Sequence, residues 1–133
     1  MTTKKSRNAD TVAIVPARVG SRGLARKNFL DFGGKSLCEH AVDQGLRVAD
    51  KCILSTDDCE SIKRFSSHPK VLINHRLPEL ADDKATMFDV LQDVITSYAL
   101  TKEIIILLQP TAPLRTDEII NDLLQLFNSE SYD

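Results

Sequence analysis

The sequence predicts an α/β fold in which a mostly parallel sheet is flanked by helices. Short apolar segments rich in β-branched residues alternate along the chain with segments of helical periodicity. This alternation is typical of right-handed βαβ units, whose strands run parallel. With 133 residues, the chain is long enough for one domain with a hydrophobic core.

Four segments are predicted to be strands of this sheet. They are residues 11–16, 51–55, 70–74 and 103–108. The last segment contains the most apolar run of the chain, I-I-I-L-L. We expect it at the centre of the sheet, because central parallel strands are buried on both faces.

Helices are predicted after the strands, each from a capping residue followed by an apolar stripe. Ser36 and Glu39 have the spacing of a capping box, at the start of a helix that ends near Ala49. Asp57 and Asp58 follow the second strand and are suited to cap the next helix. We favour this capping role over the alternative that the two aspartates bind a metal, because acidic residues at a helix N-terminus stabilise its free amides.

Two further helices are predicted in the second half of the chain. Thr86 with Asp89 is able to open one helix, and Thr116 is able to cap the last one. The apolar stripe of this last helix, expected to face the core, consists of Ile119, Ile120, Leu123, Leu124 and Phe127.

Composition excludes several classes of function. The chain has 17 basic and 19 acidic residues, so its net charge of −2 favours neither nucleic acid nor a membrane surface. Cys38, Cys52 and Cys59 form no CxxC or metal-binding pattern, and scattered thiols suit a reducing cytoplasm. Residues 1–10 are polar and are predicted to be a disordered leader. No apolar run approaches the roughly 20 residues of a membrane helix.

The segment after the first predicted strand, residues 17–28, carries a concentrated positive charge. It reads A-R-V-G-S-R-G-L-A-R-K-N, with four basic residues and no acidic residue. Gly20 and Gly23 allow tight turns that direct amides at a ligand, and Ser21 adds a hydroxyl donor. The segment is neither a Walker A nor a G-x-G-x-x-G motif. A solvated basic loop is the alternative, but its place at the carboxyl end of a strand favours polyphosphate binding.

Four motifs resemble those of the CMP-sialic acid synthetases, the acylneuraminate cytidylyltransferase family. Residues 16–28 resemble its nucleotide-binding signature P-A-R-x-G-S-K-G-x-x-x-K-N, and residues 55–58 resemble its S-T-D-D turn. Residues 76–85 resemble R-P-A-E-L-A-x-D-x-A, and residues 109–116 resemble Q-P-T-S-P-L-R-T. The motifs occur in the family's order and span nearly the whole chain. The resemblance implies a Rossmann-like sheet of the nucleotide-diphospho-sugar transferase type.

The resemblance also implies a reaction, in which a hydroxyl of an acidic sugar attacks the α-phosphorus of CTP and releases pyrophosphate. Cations aimed at the phosphates lower the barrier of such a reaction. By resemblance, Arg18, Arg22 and Lys27 hold the triphosphate, with Arg18 and Lys27 the catalytic pair. Arg22 replaces the lysine that is usual in the family. Further nucleotide contacts are expected from Ala17, Gly20, Ser21, Gly23 and Asn28.

Residues farther along the chain are assigned by the same resemblance. Arg76 is expected to contact cytosine together with the backbone near Ala85, and Gln109 is expected to face the sugar. Arg115 is either structural or substrate-facing, and Arg26 is interpreted as a solvated charge. The sequence departs from the family around the base-binding motif, with L-P at 77–78 in place of P-A.

The family's magnesium-binding aspartates, much of its sugar pocket and its dimerisation segment have no counterpart here. Residues 11–133 are therefore interpreted as the nucleotide-binding part of a cytidylyltransferase without its C-terminal half, and this chain alone is expected to have little synthetase activity. Alternatives are the same chemistry on legionaminic or pseudaminic acid, or a non-catalytic nucleotide-binding protein. The Kdo cytidylyltransferases resemble the chain less, since their S-T-R-L-P-G-K-P segment is S-R-G-L-A-R-K-N here.

Overall fold

The computed structural model describes residues 9–20, 26–82 and 84–129 of the chain. The strands are β1 (Thr11–Ala17), β2 (Asp31–Phe32), β3 (Lys35–Ser36), β4 (Lys51–Thr56), β5 (Val71–His75) and β6 (Ile104–Leu107). Within the described residues, the main sheet has the order β5-β4-β1-β6, and all its neighbouring strands are parallel. The parallel α/β fold is confirmed, and each main strand lies within one residue of its predicted bounds.

The register of the sheet aligns the carboxyl ends of its strands along one edge. Ala17 of β1 lies opposite Thr56 of β4, which in turn lies opposite His75 of β5. On the other side of β1, Ile14 lies opposite Leu107 of β6. The loops that follow these four strands therefore emerge at the same edge, where parallel α/β sheets bind their ligands.

The helices follow the predicted caps closely. They are α1 (Leu37–Val48), α2 (Cys59–Phe65), α3 (Pro78–Ala81), α4 (Met87–Ser97) and α5 (Asp117–Ser129). Ser36 and Glu39 form the predicted capping box of α1, and Thr86 with Asp89 forms that of α4. The short α3 was not predicted, and it lies in the segment 76–85 that carries the third motif. No helix among the described residues is long and apolar enough to span a membrane.

Alternate residues of β1 face two separate apolar clusters. Ala13, Val15 and Ala17 pack with residues of α1, including Ala41 and Val42. On the opposite face, Val12 and Ile14 pack with Ile53 of β4 and Val94 of α4. The sheet is thus the middle layer between helices, and β1 is its most deeply buried strand.

β6 was predicted to lie at the centre of the sheet, whereas within the described sheet it lies at an edge and β1 is its only neighbour. Its residues are half-buried rather than buried. Ile105 packs on the α4 cluster, whereas Ile106 packs on the α1 cluster. An uninterrupted apolar run therefore reports that both faces of a strand are covered, and it does not report how many strands flank it.

The predicted core stripe of α5 is correct only in part. Ile120 is buried and Leu124 packs against the α1 cluster. Three residues of the predicted stripe are exposed instead: Ile119, Leu123 and Phe127. Since β6 is the last strand on this side of the described sheet, the outer part of the stripe extends past the sheet that would bury it.

Candidate nucleotide-binding site

The basic segment leaves β1 at the edge where the strands end. Ala17 ends β1 and is fully buried, Arg18 is half-buried and Gly20 is exposed. The remaining predicted phosphate contacts lie outside the described residues: Ser21, Arg22 and Gly23. Arg18 directly follows the central strand β1, so the loop begins at the end of the sheet where parallel α/β folds bind their ligands.

The far end of the basic segment returns to its beginning. Lys27 and Asn28 lie in a 3₁₀ turn over Lys27–Phe29, and Asn28 is buried. The Nδ2 group of Asn28 donates a hydrogen bond to the carbonyl oxygen of Arg18 over 3.1 Å. Because Lys27 directly precedes Asn28, this bond brings the backbone of Lys27 close to that of Arg18, the other predicted catalytic cation. It also commits the amide group of Asn28 to the loop itself.

The turn after β4 contacts the basic segment directly. Thr56 donates its hydroxyl hydrogen bond to the carbonyl oxygen of Ala17. Asp57 Oδ1 accepts a hydrogen bond of 2.8 Å from the backbone amide of Val19. Asp58 Oδ2 accepts from the amide of Ser61 at 2.9 Å and caps α2, as predicted. The capping prediction is therefore confirmed for Asp58 and wrong for Asp57, whose carboxylate holds the loop instead.

Arg26 is only in part the solvated charge that was predicted. Its side chain is half exposed, but its guanidinium group lies 3.6 Å from Asp58 Oδ1. The same group lies 5.1 Å from the ring centroid of Phe29, in a cation–π contact. Its backbone is left-handed, with φ at 52°, which is a conformation that non-glycine residues rarely adopt.

Arg76 follows β5 and is buried, with only 5% of its surface exposed. Its guanidinium group donates to Ser55 through Nε at 3.4 Å and through Nη2 at 3.3 Å. Burial lowers the pKa of Arg76, and the nearby charge of Arg18 lowers it further, while Asp57 and Asp93 act in the opposite direction. Arg76 is thus part of a polar cluster beneath the loops.

The segment from Arg76 to Ala85 reaches the basic segment through α3. Arg18 Nη1 donates to the carbonyl oxygen of Ala81, the last residue of α3, at 3.4 Å. The amide of Ala85 donates to Asp82 Oδ1 at 3.0 Å, which closes the turn after α3. Two of the four motifs found in the sequence therefore meet at Arg18.

Gln109 lies beyond β6 and is exposed. Its carbonyl oxygen accepts a hydrogen bond of 3.0 Å from Arg115 Nη1. Arg115 Nε in turn donates to Gln44 Oε1 at 2.8 Å, which ties this loop to α1. These contacts support a structural role for Arg115. The buried Gln44 was missed in the sequence, where the only signal was a polar residue beside the apolar stripe of α1.

Comparison with known proteins decides the family. Residues 12–133 match the cytidylyltransferase family. The chain belongs to this family. It is 33% identical over 125 residues to the N-acylneuraminate cytidylyltransferase of Streptococcus agalactiae serotype III, and the match covers 92% of this chain and 30% of that relative. It is 31% identical over 121 residues to the pseudaminic acid cytidylyltransferase of Campylobacter jejuni, covering 87% of this chain and 52% of the relative.

A solved structure has the same fold as this chain. It is a CMP:2-keto-3-deoxy-manno-octonic acid synthetase complexed with CTP, at a TM-score of 0.71 and 25% sequence identity. The match covers 92% of this chain and 48% of that protein. The chain therefore spans between about a third and a half of the length of these proteins.

The acidic pair after β4, Asp57 and Asp58, does not fit a magnesium ion. Asp57 is bonded to a backbone amide, and Asp58 is bonded to the N-terminus of α2 and paired with Arg26. Within the described residues, no group of three His, Cys, Asp or Glu side chains is placed to hold a metal. The carboxylates after β4 therefore accept hydrogen bonds from the protein's own N–H groups. They do not form a metal site that could take part in catalysis.

The buried cysteines of the chain are also without a chemical role. Burial raises the pKa of Cys38 and of Cys52 to about 12. A thiol with so high a pKa is almost wholly protonated near neutral pH and is a poor nucleophile. Cys59 is exposed, at the start of α2. The candidate site is thus one of cations, backbone amides and the polar contacts of Ser55 with Arg76.

Proposed function

We propose that this chain forms the nucleotide-binding part of an enzyme that transfers CMP from CTP to a nonulosonic acid of the sialic acid type. The observation that carries the proposal is the convergence at Arg18, which contacts both the far end of the basic segment and the end of α3. Both segments match motifs of the family. Because the chain spans only part of its relatives, the activity is proposed for the whole protein.

In this reaction, the sugar hydroxyl oxygen forms a bond to the α-phosphorus, and the bond from that phosphorus to the oxygen bridging to the β-phosphorus breaks. Pyrophosphate leaves with the bridging oxygen and the electron pair of the broken bond, and the hydroxyl proton passes to solvent water. Arg18 and Lys27 stabilise the charge on the phosphates, and preorganised cations at this position lower the barrier. The remaining donors of the loop complete the phosphate site: the amides of Ala17, Gly20 and Gly23, and the side chains of Ser21 and Arg22.

Recognition of the base is assigned to the loop after β5, and contact with the sugar is assigned to the loop after β6. Arg76, with the backbone near Ala85, recognises cytosine, because an arginine donates hydrogen bonds to the base's carbonyl oxygen. Asn28 supports the nucleotide by fixing Arg18, and Gln109 contacts the sugar at the end of β6. The expectations of a bound Mg²⁺ ion and of a homodimer rest on the family resemblance alone. The free thiols fit a reducing compartment such as the cytoplasm.

Calorimetric titration of this chain with CTP, CDP, ATP and GTP tests the nucleotide assignment. We expect CTP and CDP to bind more tightly than the two purine nucleotides. Equal affinity for all four would leave a phosphate loop and remove the assignment to cytidine. Binding of CTP without any product from the whole protein would favour the non-catalytic alternative.

The acceptor is tested by a product assay on the whole protein. N-acetylneuraminic, legionaminic and pseudaminic acids are each offered with CTP and Mg²⁺, and the CMP-sugar is measured by mass spectrometry. We expect the highest kcat/KM with N-acetylneuraminic acid. A clear preference for either of the other acids would keep the reaction type and change the substrate.

A further inference from the structure

Two consecutive aspartates hold the opposite flanks of the basic segment. Asp57 Oδ1 accepts from the amide of Val19 at 2.8 Å, and Asp58 Oδ1 lies 3.6 Å from the guanidinium group of Arg26. Val19 directly follows Arg18, and Arg26 directly precedes Lys27. Each aspartate therefore acts on the neighbour of one of the two cations assigned to the triphosphate.

The two aspartates are themselves fixed in place. The hydroxyl of Thr56 accepts from the amide of Asp58 at 3.0 Å and donates to the carbonyl oxygen of Ala17. Asp58 is buried, and its Oδ2 accepts from both the amide and the hydroxyl of Ser61, at 2.9 Å and 2.7 Å. The pair is thus held between the end of β4 and the start of α2.

The charges of the pair would be unfavourable next to a triphosphate if they faced it as free carboxylates. Instead, Asp57 accepts a hydrogen bond from a backbone amide, and Asp58 caps the positive end of α2 and pairs with Arg26. The left-handed backbone of Arg26 supports the same conclusion. A conformation this rare in a non-glycine residue persists where surrounding contacts hold it, and here Asp58 and Phe29 hold the side chain.

We propose that Asp57 and Asp58 are positioning residues that fix the basic segment at both ends and so place Arg18 and Lys27 for the phosphates. They act through Val19 and Arg26 and do not bind the nucleotide themselves. This assignment rests on the proposed function for its ligand, but the contacts that it invokes exist without the ligand.

The contact of Asp57 with the Val19 amide, the shorter of the two contacts, is tested with two variants and one matched control. Asp57→Ala removes the acceptor of the Val19 amide, whereas Asp57→Asn keeps an oxygen acceptor of nearly the same shape. Asp50→Ala is the control, because Asp50 Oδ2 also accepts from a backbone amide, that of Thr11 at 2.9 Å, but at the opposite edge of the sheet. Comparison with this control separates a local effect from a general loss of stability.

The first measurement needs no nucleotide. Amide hydrogen exchange of Val19 is followed by NMR in each variant, and we expect it to be on the order of tenfold faster in Asp57→Ala than in the wild type. Asp57→Asn should restore most of the protection, and Asp50→Ala should leave it unchanged. Unchanged exchange at Val19 in Asp57→Ala would overturn the proposal, whatever the protein binds.

The contact of Asp58 with Arg26 is tested by Asp58→Asn. This variant retains an acceptor for Ser61 and removes the charge that faces Arg26. The backbone amide chemical shifts of Arg26 and Lys27 should move in Asp58→Asn. These shifts should not move in Asp50→Ala. If they stay unchanged in Asp58→Asn while α2 remains intact, Asp58 is only a helix cap and its role in positioning Lys27 is wrong.

The last measurement is the affinity for CTP by calorimetry. We expect on the order of tenfold weaker binding for Asp57→Ala, a change within about threefold for Asp57→Asn, and none for Asp50→Ala. Faster exchange at Val19 in a chain whose wild type binds no CTP would retain the positioning role and refute the proposed function. Equal weakening by Asp57→Ala and Asp50→Ala would refute positioning and leave the nucleotide site standing.

Discussion

The guanidinium group of Arg18 donates a hydrogen bond to the carbonyl oxygen of Ala81, 3.4 Å away. This contact joins the residue that follows β1 to the end of α3, in the loop that begins at Arg76. Burial lowers the pKa of Arg76, and the nearby charge of Arg18 lowers it further, while Asp57 and Asp93 act in the opposite direction. The two guanidinium groups therefore lie close enough for their charges to interact, and Asp57 offsets part of their repulsion.

Removing either assigned phosphate cation should weaken nucleotide binding strongly. For Arg18→Ala and Lys27→Ala, we expect a loss of about 1.5–3 kcal/mol in binding free energy each, the usual contribution of a charge-assisted hydrogen bond. Arg26→Ala should cost less than about 1 kcal/mol, because its ion pair with Asp58 is half exposed. Calorimetric titration with CTP measures all three variants. A largest loss in Arg26→Ala would show that the loop is assigned wrongly.

Replacement of Arg76 separates base recognition from stability. Arg76→Met keeps the length of the side chain but removes the donors to Ser55, so it should lower the free energy of unfolding by about 1–3 kcal/mol. If Arg76 also contacts cytosine, the same variant should reduce the preference for CTP over ATP. Urea unfolding measures the first effect, and paired titrations measure the second. A loss of stability at constant preference would make Arg76 a structural residue only.

Local sequence patterns were enough to place most elements. The caps at Ser36 and Thr86 depend on residues three apart in the chain, so their geometry is encoded where it occurs. The small β2–β3 hairpin was missed although it had a local signal. Its turn is Gly33-Gly34, with φ angles of 67° and 91°, and a G-G pair between two short strands is typical of such turns.

The contacts of the site depend on which strands are neighbours, and a single sequence does not contain that information in readable form. Asp57 reaches Val19 only because β4 lies next to β1 in this register. Without the register, an aspartate after a strand is equally compatible with a helix cap, a metal ligand or a loop contact. The same reason explains why β6 was expected at the centre of the sheet. Its apolar run indicates that both faces are covered, but it does not indicate the strand order.

Gly45 of α1 lies directly against the sheet, and its substitution should destabilise the protein. A Cβ atom at this position would lie 2.8 Å from Cys52 Sγ and 3.1 Å from Ala13 Cβ. The clash should outweigh the roughly 1 kcal/mol by which alanine favours a helix over glycine. Gly45→Ala should therefore lower the free energy of unfolding by about 1–3 kcal/mol, as measured in urea.

A double-variant cycle identifies the cause of that loss. Cys52→Ala removes the sulfur that the new Cβ meets at 2.8 Å, so Gly45→Ala should cost less in the Cys52→Ala background. Additive losses would show that Ala13 or the backbone, and not Cys52, is the obstacle. A more stable Gly45→Ala variant would contradict the packing of α1 on β4.

Asp117 at the start of α5 should make stability depend on pH. Arg47 donates to both of its carboxylate oxygens, at 2.7 Å and 3.2 Å, and Gln44 donates to one at 3.0 Å. These hydrogen bonds, that of Arg47 first, lower the pKa of Asp117 in the folded state. The stabilisation is therefore complete above the unfolded pKa near 4 and is lost as the pH falls through the lower folded pKa.

Asp117→Asn tests this dependence against Asp122→Asn, a substitution at an exposed position of the same helix. At pH 7, Asp117→Asn should lower the free energy of unfolding by less than about 1 kcal/mol, because the side chain of Asp117 is 36% exposed. The difference from wild type should shrink as the pH is lowered from 5 to about 2, where the wild-type carboxylate is protonated. Urea unfolding at each pH measures the difference, and Asp122→Asn should stay within about 0.5 kcal/mol of wild type at pH 7. A deficit in Asp117→Asn that stays constant down to the lowest pH would show that the contacts of α5 with α1 do not depend on the charge of Asp117.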